Sequence, residues 1–307
     1  MNSAPATVIH IGFPKAASTT LQLGVFDQHP EILHVGRQNW KSDDDQLIYS
    51  LIFDDDQYYD EAACKKLFND FEKQAHQNGL TTIVSNEHFV RSTMRSLAPM
   101  RLARLMPDAK ILVVIRNQFD AVASMYAAQG RYLRSNLAPK PYKGRYVTFE
   151  NWFEFALENW KSSYLGAIDY DATIGLYEKH FGHENVECIL FEDLIKSPHI
   201  TAEKIAKLAE VNADLMKELL SSSHENKRVS SRIVHYHRIR RYFLPQISFS
   251  SYLPSLKFLT RLLSQGKAYR HDLSPSTRET ISELYREGNR ALEDRFGLPL
   301  SENGYPT

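Results

Sequence analysis

The segment Ile9–Gln22 (IHIGFPKAASTTLQ) constrains the fold of this 307-residue chain more than any other part of the sequence. Its apolar run ends at Phe13, Pro14 fixes the direction of the chain, and small residues lead into a stretch that predicts a helix. Small side chains let backbone N–H groups approach an anion, and a helix N-terminus adds a partial positive charge. We therefore predict a strand, a phosphate-binding loop and a helix in succession.

Four short runs, rich in β-branched and apolar residues, predict buried parallel strands. They are Thr7–Phe13, Thr81–Ser85, Lys110–Arg116 and Val186–Phe191. Because each is followed by a polar loop or a helical pattern, we predict an α/β fold with a P-loop-like parallel sheet flanked by helices. From about Pro198 onward the chain is predicted to be mostly helical. We interpret residues 1–307 as one domain, with a nucleotide-binding core at 7–211 and a helical elaboration at 212–307.

Composition argues against several classes of protein. No window approaches 18 uninterrupted apolar residues, so no membrane span is predicted, and residues 1–6 lack the features of a signal peptide. Cys64 and Cys188 are the only cysteines, which indicates neither a disulfide framework nor a cysteine metal site. We therefore expect a cytoplasmic protein. The 37 basic and 37 acidic residues balance, and we predict no nucleic-acid partner.

The predicted loop differs from a Walker A loop, in which the lysine follows a glycine-rich arc. Here Lys15 comes before the small residues, three positions after Gly12. The apolar run does not lead directly into Asp193, the nearest candidate for a magnesium-holding aspartate, so we expect a nucleotide bound without a metal. The alternative is an ordinary connection in which Ser18 or Thr19 caps the helix. The candidate phosphate ligands are Lys15, Ala16, Ala17, Ser18, Thr19 and Thr20.

A second segment, Ile111–Gln129 (ILVVIRNQFDAVASMYAAQ), joins a buried strand to a helical pattern. The strand delivers Arg116 to its carboxyl end, and Ser124 lies eight positions later, two turns into the predicted helix. An arginine and a serine placed in this way can converge on one phosphate. The alternative for Ser124 is a serine that packs between helices.

Together the two segments resemble the sulfotransferase family that uses 3′-phosphoadenosine-5′-phosphosulfate (PAPS). The family's 5′-phosphosulfate loop reads Pro-Lys-small-Gly-[Ser/Thr]-[Ser/Thr], which Pro14–Thr19 matches except that Ala17 replaces the glycine. The family's 3′-phosphate motif has an arginine, a serine eight residues later and a tyrosine two beyond, matched by Arg116, Ser124 and Tyr126. The resemblance extends over residues 7–211.

This resemblance implies an enzyme that moves the sulfuryl group of PAPS to a hydroxyl or amine and releases 3′-phosphoadenosine 5′-phosphate (PAP). The acceptor is unidentified, and a small molecule, lipid or glycan is expected, with a glycan or lipid-linked glycan favoured. Lys15 would contact the bridging oxygen and the 5′-phosphate. The remaining implied contacts are Ser18 and Thr19 to the phosphosulfate, and Arg116, Ser124, Lys227 and Arg228 to the 3′-phosphate.

Two positions set the chain apart within the family. If the backbone at Ala17 is left-handed, an alanine there costs about 1 kcal/mol. Thr20 stands where the phenol- and steroid-sulfating branch has a tryptophan, so the resemblance leans toward the bacterial and carbohydrate-type branches. The group that stacks on the adenine therefore stays open.

Sulfuryl transfer also needs a base for the acceptor's proton. The run VSNEHF places Glu87 and His88 at the carboxyl edge of the predicted sheet, where open α/β sheets bind ligands. In the family a histidine or a glutamate of this region acts as the base. We favour Glu87, and His88 stays open as the alternative.

Two basic segments have alternative interpretations. Residues Asn226–His271 contain ten lysines and arginines and no carboxylate, which is typical of a segment that contacts anionic membrane lipid peripherally. The alternative is a helical subdomain whose bases pair with the acidic stretch Asp43–Glu61. The segment Arg131–Tyr146 interleaves basic and aromatic residues, as expected of an acceptor lid or of a solvated loop.

Two other functions compete with sulfuryl transfer. One is a metal-independent, kinase-like phosphotransferase, which the missing Walker pattern disfavours. The other is a non-catalytic, nucleotide-binding regulator. The oligomeric state is not predicted.

Overall fold

The structure, a computed structural model, describes residues 6–36, 42–90, 95–128, 147–223, 230–232, 234–236, 239, 262–267 and 269–307. The chain forms two compact units that alternate along the sequence. The first comprises Met1–Asn117, Ala167–Asn226 and Ser282–Thr307, and the second comprises Gln118–Gly166 and Lys227–Ile281. The interpretation of residues 1–307 as one domain, with a core at 7–211 and a helical elaboration at 212–307, stays a prediction.

A parallel sheet forms the centre of the first unit. Its strands are β1 (Thr7–Ile11), β2 (Ile32–Val35), β3 (Thr81–Asn86), β4 (Lys110–Ile115) and β5 (Val186–Leu190). Their order across the sheet is β2-β3-β1-β4-β5, and every neighbouring pair is parallel. The predicted α/β sheet is therefore confirmed, and four of its strands were identified from sequence.

The strand β2 was missed because its sequence lacks the signal of a buried strand. It has only four residues, lies at the edge of the sheet and is mostly half-buried, so it shows no long apolar run. Three of the predicted strands also end earlier than expected. Phe13 and Arg116 lie in loops, and Phe191 begins a helix, because the chain leaves the sheet at these residues.

Helices surround the sheet and make up most of the described chain after Pro198, as predicted. A π-helix covers Thr20–Phe26, and 3₁₀-helices cover Glu87–Phe89, Trp160–Ser162 and His183–Asn185. The α-helices are α1 (Asp43–Phe53), α2 (Glu61–Asn78), α3 (Leu97–Leu105), α4 (Gln118–Ala128), α5 (Phe149–Glu158), α6 (Tyr164–Ala167), α7 (Tyr170–Phe181), α8 (Phe191–Lys196), α9 (Pro198–Ala209), α10 (Ala213–Ser222) and α11 (Pro275–Phe296).

Side-chain caps explain where several helices begin. The side chain of Ser42 caps α1, that of Asp60 caps α2 and that of Asn212 caps α10, each by accepting a backbone N–H bond. The other end of α2 stops at Gly79, whose φ of 66° is a left-handed conformation that glycine adopts without strain. Among the described residues, no helix combines the length and apolar character that crossing a membrane requires.

The acidic stretch Asp43–Glu61 has partners on α3. The side chain of Arg101, which is fully buried, donates to Asp56 at 2.7 Å and to the backbone oxygen of Leu51 at 2.9 Å. Arg101 thereby satisfies a carbonyl near the end of α1. Arg104 makes an exposed pair with Glu61 at 3.3 Å. Two acids of this stretch are thus paired with α3.

Candidate active site

The ends of three neighbouring strands meet at one edge of the sheet. Because β1 and β3 are parallel and Ile11 pairs with Asn86, the residues that follow them, Gly12 and Glu87, leave adjacent strands at the same level. A Cβ atom added to Gly12 would lie 2.7 Å from Ser18 Oγ and 3.2 Å from Glu87 Cγ. Only glycine therefore lets the loop after β1 approach Glu87 this closely.

The backbone of the loop after β1 has the geometry of an anion-binding nest. Lys15 and Ala17 have left-handed φ angles of 64° and 65°, whereas φ is negative at Ala16 and Ser18. Such alternation turns successive N–H groups toward one side, where they can surround an anion. Within the described part of the chain, no backbone carbonyl accepts from the N–H of Lys15 or Ala17. The loop therefore offers backbone donors to a ligand.

The left-handed conformation of Ala17 settles which residue fits best there. An L-residue in this conformation costs about 1–2 kcal/mol, and glycine avoids that cost but loses about 0.5–1 kcal/mol through chain entropy. We expect Ala17→Gly to raise the free energy of unfolding by about 0.5–1 kcal/mol, measured by urea denaturation. Ala16→Gly is the matched control, because φ is negative at Ala16 and this substitution should lower stability. Equal losses in both variants would contradict the assignment.

The hydroxyls of the loop do not act as helix caps. Ser18 is buried, and its Oγ donates to the backbone oxygen of Phe13 at 3.3 Å. Thr19 occupies the N-cap of the π-helix but makes no side-chain cap bond. Thr20, the first residue of that helix, is also buried. The alternative in which Ser18 or Thr19 simply caps the helix is therefore wrong.

Three of the predicted residues are close together in this unit. Arg116 Nη1 donates to the backbone oxygen of Lys15 at 2.9 Å. Lys15 is exposed as a whole, yet desolvation of its ammonium group lowers its pKa, and the nearby Arg116 lowers it further. The carboxylate of Glu87 opposes both effects by raising the pKa of Lys15. Lys15, Glu87 and Arg116 therefore share one electrostatic environment.

The position of Arg116 follows from the register of β4 and β5. Ile115 pairs with Leu190, so Arg116 and Phe191 both leave the sheet at the same level. Arg116 is 7% exposed, and its guanidinium lies over the ring of Phe191 at 4.4 Å from the ring centroid. The backbone N–H of Asn117, the next residue, donates to Glu192 Oε1 at 3.1 Å. Sequence reasoning assigned no role to Phe191 or Glu192.

Glu87 and His88 have different surroundings. The side chain of Asn86 accepts from the backbone N–H of His88 at 2.8 Å and so begins the 3₁₀-helix. The ring of His88 packs edge-on against Phe53 of α1 with centroids 5.3 Å apart. Glu87, by contrast, lies near the loop after β1, since a Cβ atom added to Gly12 would be 3.2 Å from Glu87 Cγ. This difference favours Glu87 as the base, and the choice stays a prediction.

The other predicted ligands belong to the second unit or lie outside the described residues. Ser124 lies on α4 in the second unit and is half-buried. Tyr126 of the same helix is buried, and its hydroxyl donates to the backbone oxygen of Val147 at 3.0 Å, which is a packing role. Lys227, Arg228 and the segment Arg131–Tyr146 lie outside the described residues, as does most of Asn226–His271.

Comparison with known proteins identifies the family. A family model described as a sulfotransferase domain matches residues 7–293. The solved sulfotransferase from Alicyclobacillus acidocaldarius aligns with 98% of this chain and 99% of its own, at 17% identity and a TM-score of 0.57. A mouse sulfotransferase complexed with PAP covers 99% of this chain and 90% of its own, at 13% identity and a TM-score of 0.49. A search of curated proteins gave no match.

Proposed function

The chain belongs to the sulfotransferase family, and from this membership we propose that it transfers the sulfuryl group of PAPS to a hydroxyl or amine of an acceptor. The observation that supports the proposal most strongly is the meeting of Lys15, Glu87 and the nest-like loop at one sheet edge. PAPS, when bound, supplies the sulfuryl group and a phosphate leaving group. The residues of the chain must bind this donor, neutralise the leaving oxygen and accept a proton.

Lys15 and the loop act on the leaving phosphate. The backbone N–H groups of the nest and the hydroxyls of Ser18 and Thr19 hold the 5′-phosphosulfate by hydrogen bonds. Lys15 places its charge at the oxygen that bridges sulfur and phosphorus, where negative charge develops as the S–O bond breaks. The contact between Arg116 and the carbonyl of Lys15 supports this role, because it fixes the backbone from which the lysine extends.

Glu87 acts on the acceptor. Its carboxylate takes the proton of the acceptor's hydroxyl or amine as the acceptor atom bonds to sulfur. The proton thus moves to a Glu87 oxygen while the electron pair of the breaking S–O bond moves to the leaving phosphate. The closeness of the Glu87 side chain to Gly12, where an added Cβ atom would crowd it, supports Glu87 in this role.

Arg116 and Ser124 hold the 3′-phosphate of the donor, which distinguishes PAPS from AMP and ATP. The burial of Arg116 supports this assignment, since a charged hydrogen bond is stronger where water is scarce. Lys227 and Arg228 are proposed to add to the same site. We further propose that transfer proceeds without a metal.

Calorimetry with PAP and AMP tests the nucleotide site. We expect Arg116→Ala to weaken PAP binding by roughly 10- to 100-fold, because a hydrogen bond to a charged group contributes about 1.5–3 kcal/mol. Binding of AMP, which lacks the 3′-phosphate, should change much less. Ser124→Ala is the cleaner variant, since Arg116 also holds the carbonyl of Lys15. Equal losses of PAP and AMP affinity in both variants would refute the assignment.

The acceptor site is proposed to favour a ring-bearing molecule such as a sugar. His88, the residue after Glu87, belongs to an aromatic row with Phe53 and Tyr49, in which the ring centroids of Tyr49 and Phe53 are 4.6 Å apart. Tyr49 is 42% exposed, and aromatic side chains supply large apolar surfaces that pack against other rings. This supports a glycan or lipid-linked glycan over an acyclic acceptor.

Location and partners are also proposed. The cysteines Cys64 and Cys188 are free, which supports a reducing compartment such as the cytoplasm. For Asn226–His271 we retain peripheral contact with anionic lipid as a proposal that rests on its basic composition. Co-sedimentation with anionic and neutral vesicles at low salt decides between this role and a structural one.

A further inference from the structure

The helix α7 carries two buried tyrosines that reach two different parts of the site. Tyr170 and Tyr177 are seven residues apart, which is about two turns of helix and roughly 10 Å along its axis. Their side chains are 1% and 0% exposed. Each hydroxyl donates a hydrogen bond to a backbone carbonyl outside α7.

Tyr170 forms hydrogen bonds through its hydroxyl with both the N–H and the carbonyl oxygen of Arg116. Its hydroxyl donates to the carbonyl oxygen of Arg116 at 2.8 Å and accepts from the N–H of the same residue at 3.3 Å. Its ring packs edge-on against Phe13, with centroids 4.7 Å apart, in the loop that leads to Lys15. One side chain therefore fixes the start of the arginine loop and contacts the phosphosulfate loop.

Tyr177 bonds to the turn that carries the proposed base. Its hydroxyl donates to the carbonyl oxygen of Phe89 at 3.3 Å. Phe89 is the last residue of the 3₁₀-helix Glu87–Phe89, so the bond restrains the short segment that begins with Glu87. A 3₁₀-helix of three residues has little hydrogen bonding of its own and depends on such external bonds.

Packing alone does not require these hydroxyls. A buried hydroxyl that lacks a partner is costly, whereas phenylalanine fills nearly the same volume without that risk. Burial raises the pKa of both Tyr170 and Tyr177 well above the usual value, so both remain neutral and able to donate. The helix itself is anchored by contacts with β4, β5 and α3. The helix can therefore hold the hydroxyls of Tyr170 and Tyr177 at a fixed spacing.

We propose that α7 is a bracing helix on which Tyr170 positions Arg116 for donor binding and Tyr177 positions Glu87 for proton transfer. Both tyrosines are positioning residues that act through the backbone of another residue. The inference rests on the proposed function, because it assigns donor binding to the hydrogen bonds of Tyr170 and proton transfer to the hydrogen bond of Tyr177. It predicts that two similar substitutions on one helix have different kinetic effects.

The test compares Tyr170→Phe with Tyr177→Phe in the full chain, each serving as the control for the other. Both remove one hydroxyl and keep the ring, and circular dichroism checks that both variants fold. We expect Tyr170→Phe to raise the Kd for PAP about tenfold, with kcat at saturating PAPS nearly unchanged. We expect Tyr177→Phe to lower kcat about tenfold with the Kd for PAP unchanged. Hydrogen exchange supplies a second readout: the amide of Arg116 should exchange faster only in Tyr170→Phe.

The outcomes separate this inference from the proposed function. Suppose that the unaltered chain binds PAP and turns over PAPS, but that both variants raise the Kd for PAP and lower kcat by the same factors. The bracing roles are then wrong, and the proposed function stands. If the unaltered chain binds PAP no better than AMP, the proposed function fails and this inference fails with it. If one variant does not fold, the other still tests the proposal. Tyr170→Phe must raise the Kd for PAP, or Tyr177→Phe must lower kcat, and the absence of that change overturns the proposal.

Discussion

Replacing Lys15 with alanine is expected to lower kcat by about 10²- to 10³-fold, which is the loss seen when one preorganised donor to a developing negative charge is removed. The charge of Lys15 is needed most when the leaving oxygen becomes negative, so the effect on kcat should exceed the effect on PAP affinity. Single-turnover assays with saturating PAPS measure the first, and calorimetry measures the second.

Lys204→Ala is the matched control for Lys15→Ala. Lys204 lies on α9 and makes a partly exposed pair with Glu187 at 3.7 Å. Pairs of this kind contribute about 0–1 kcal/mol to stability, so activity should be unchanged. If Lys15→Ala keeps its activity within tenfold of the unaltered chain, Lys15 does not stabilise the transition state.

The pH dependence of transfer offers an independent check on Lys15. Desolvation and the charge of Arg116 lower the pKa of Lys15, so its ammonium group loses its proton at a lower pH than an ordinary lysine does. Because only the charged form can stabilise the leaving oxygen, kcat/KM for PAPS, which reports the free enzyme, should fall as the pH rises through this lowered pKa. A kcat/KM that stays constant up to the usual lysine pKa would count against the role.

Replacing Glu87 with glutamine is the second large effect expected. The amide keeps the shape of the side chain but cannot accept the acceptor's proton, so kcat should fall by about 10²- to 10⁴-fold. The Kd for PAP should change little, because the base contacts the acceptor and not the nucleotide. Steady-state kinetics and PAP calorimetry on the same preparation measure both quantities.

His88→Gln is the control that decides between neighbouring residues. The ring of His88 packs against Phe53, so its loss should weaken acceptor binding and leave most of kcat intact. If His88→Gln lowers kcat by the larger factor and Glu87→Gln does not, the site is correctly located and the base is His88.

The sequence was sufficient to predict the sheet and the loops at its edge, because these depend on local patterns. Apolar runs identify β1, β3, β4 and β5, and a lysine followed by small residues predicts the loop after β1 that we propose binds phosphate. In parallel strands the carboxyl ends lie at one edge, which is why Lys15, Glu87 and Arg116 could be grouped before their contacts were known.

The remaining features depend on tertiary contacts and leave no pattern in the sequence. A buried tyrosine such as Tyr170 or Tyr177 has the same spacing as any core residue, so its hydroxyl's partner cannot be predicted. The left-handed φ of Lys15 is equally hidden, since lysine does not favour that conformation, whereas at Ala17 only the family's glycine raised the possibility. The edge strand β2 was missed because edge strands need fewer apolar residues than central ones.

The central claim is sulfuryl transfer from PAPS, and the most direct measurement follows the sulfur itself. The full chain is incubated with PAPS that carries radioactive sulfur and with a panel of glycans, lipid-linked glycans and phenols, and labelled products are separated from PAPS. We predict a labelled acceptor and an equal amount of PAP, with both products formed about 10²- to 10³-fold more slowly in Lys15→Ala. Label that stays in PAPS with every acceptor, or phosphate transfer from ATP in its place, would contradict the account.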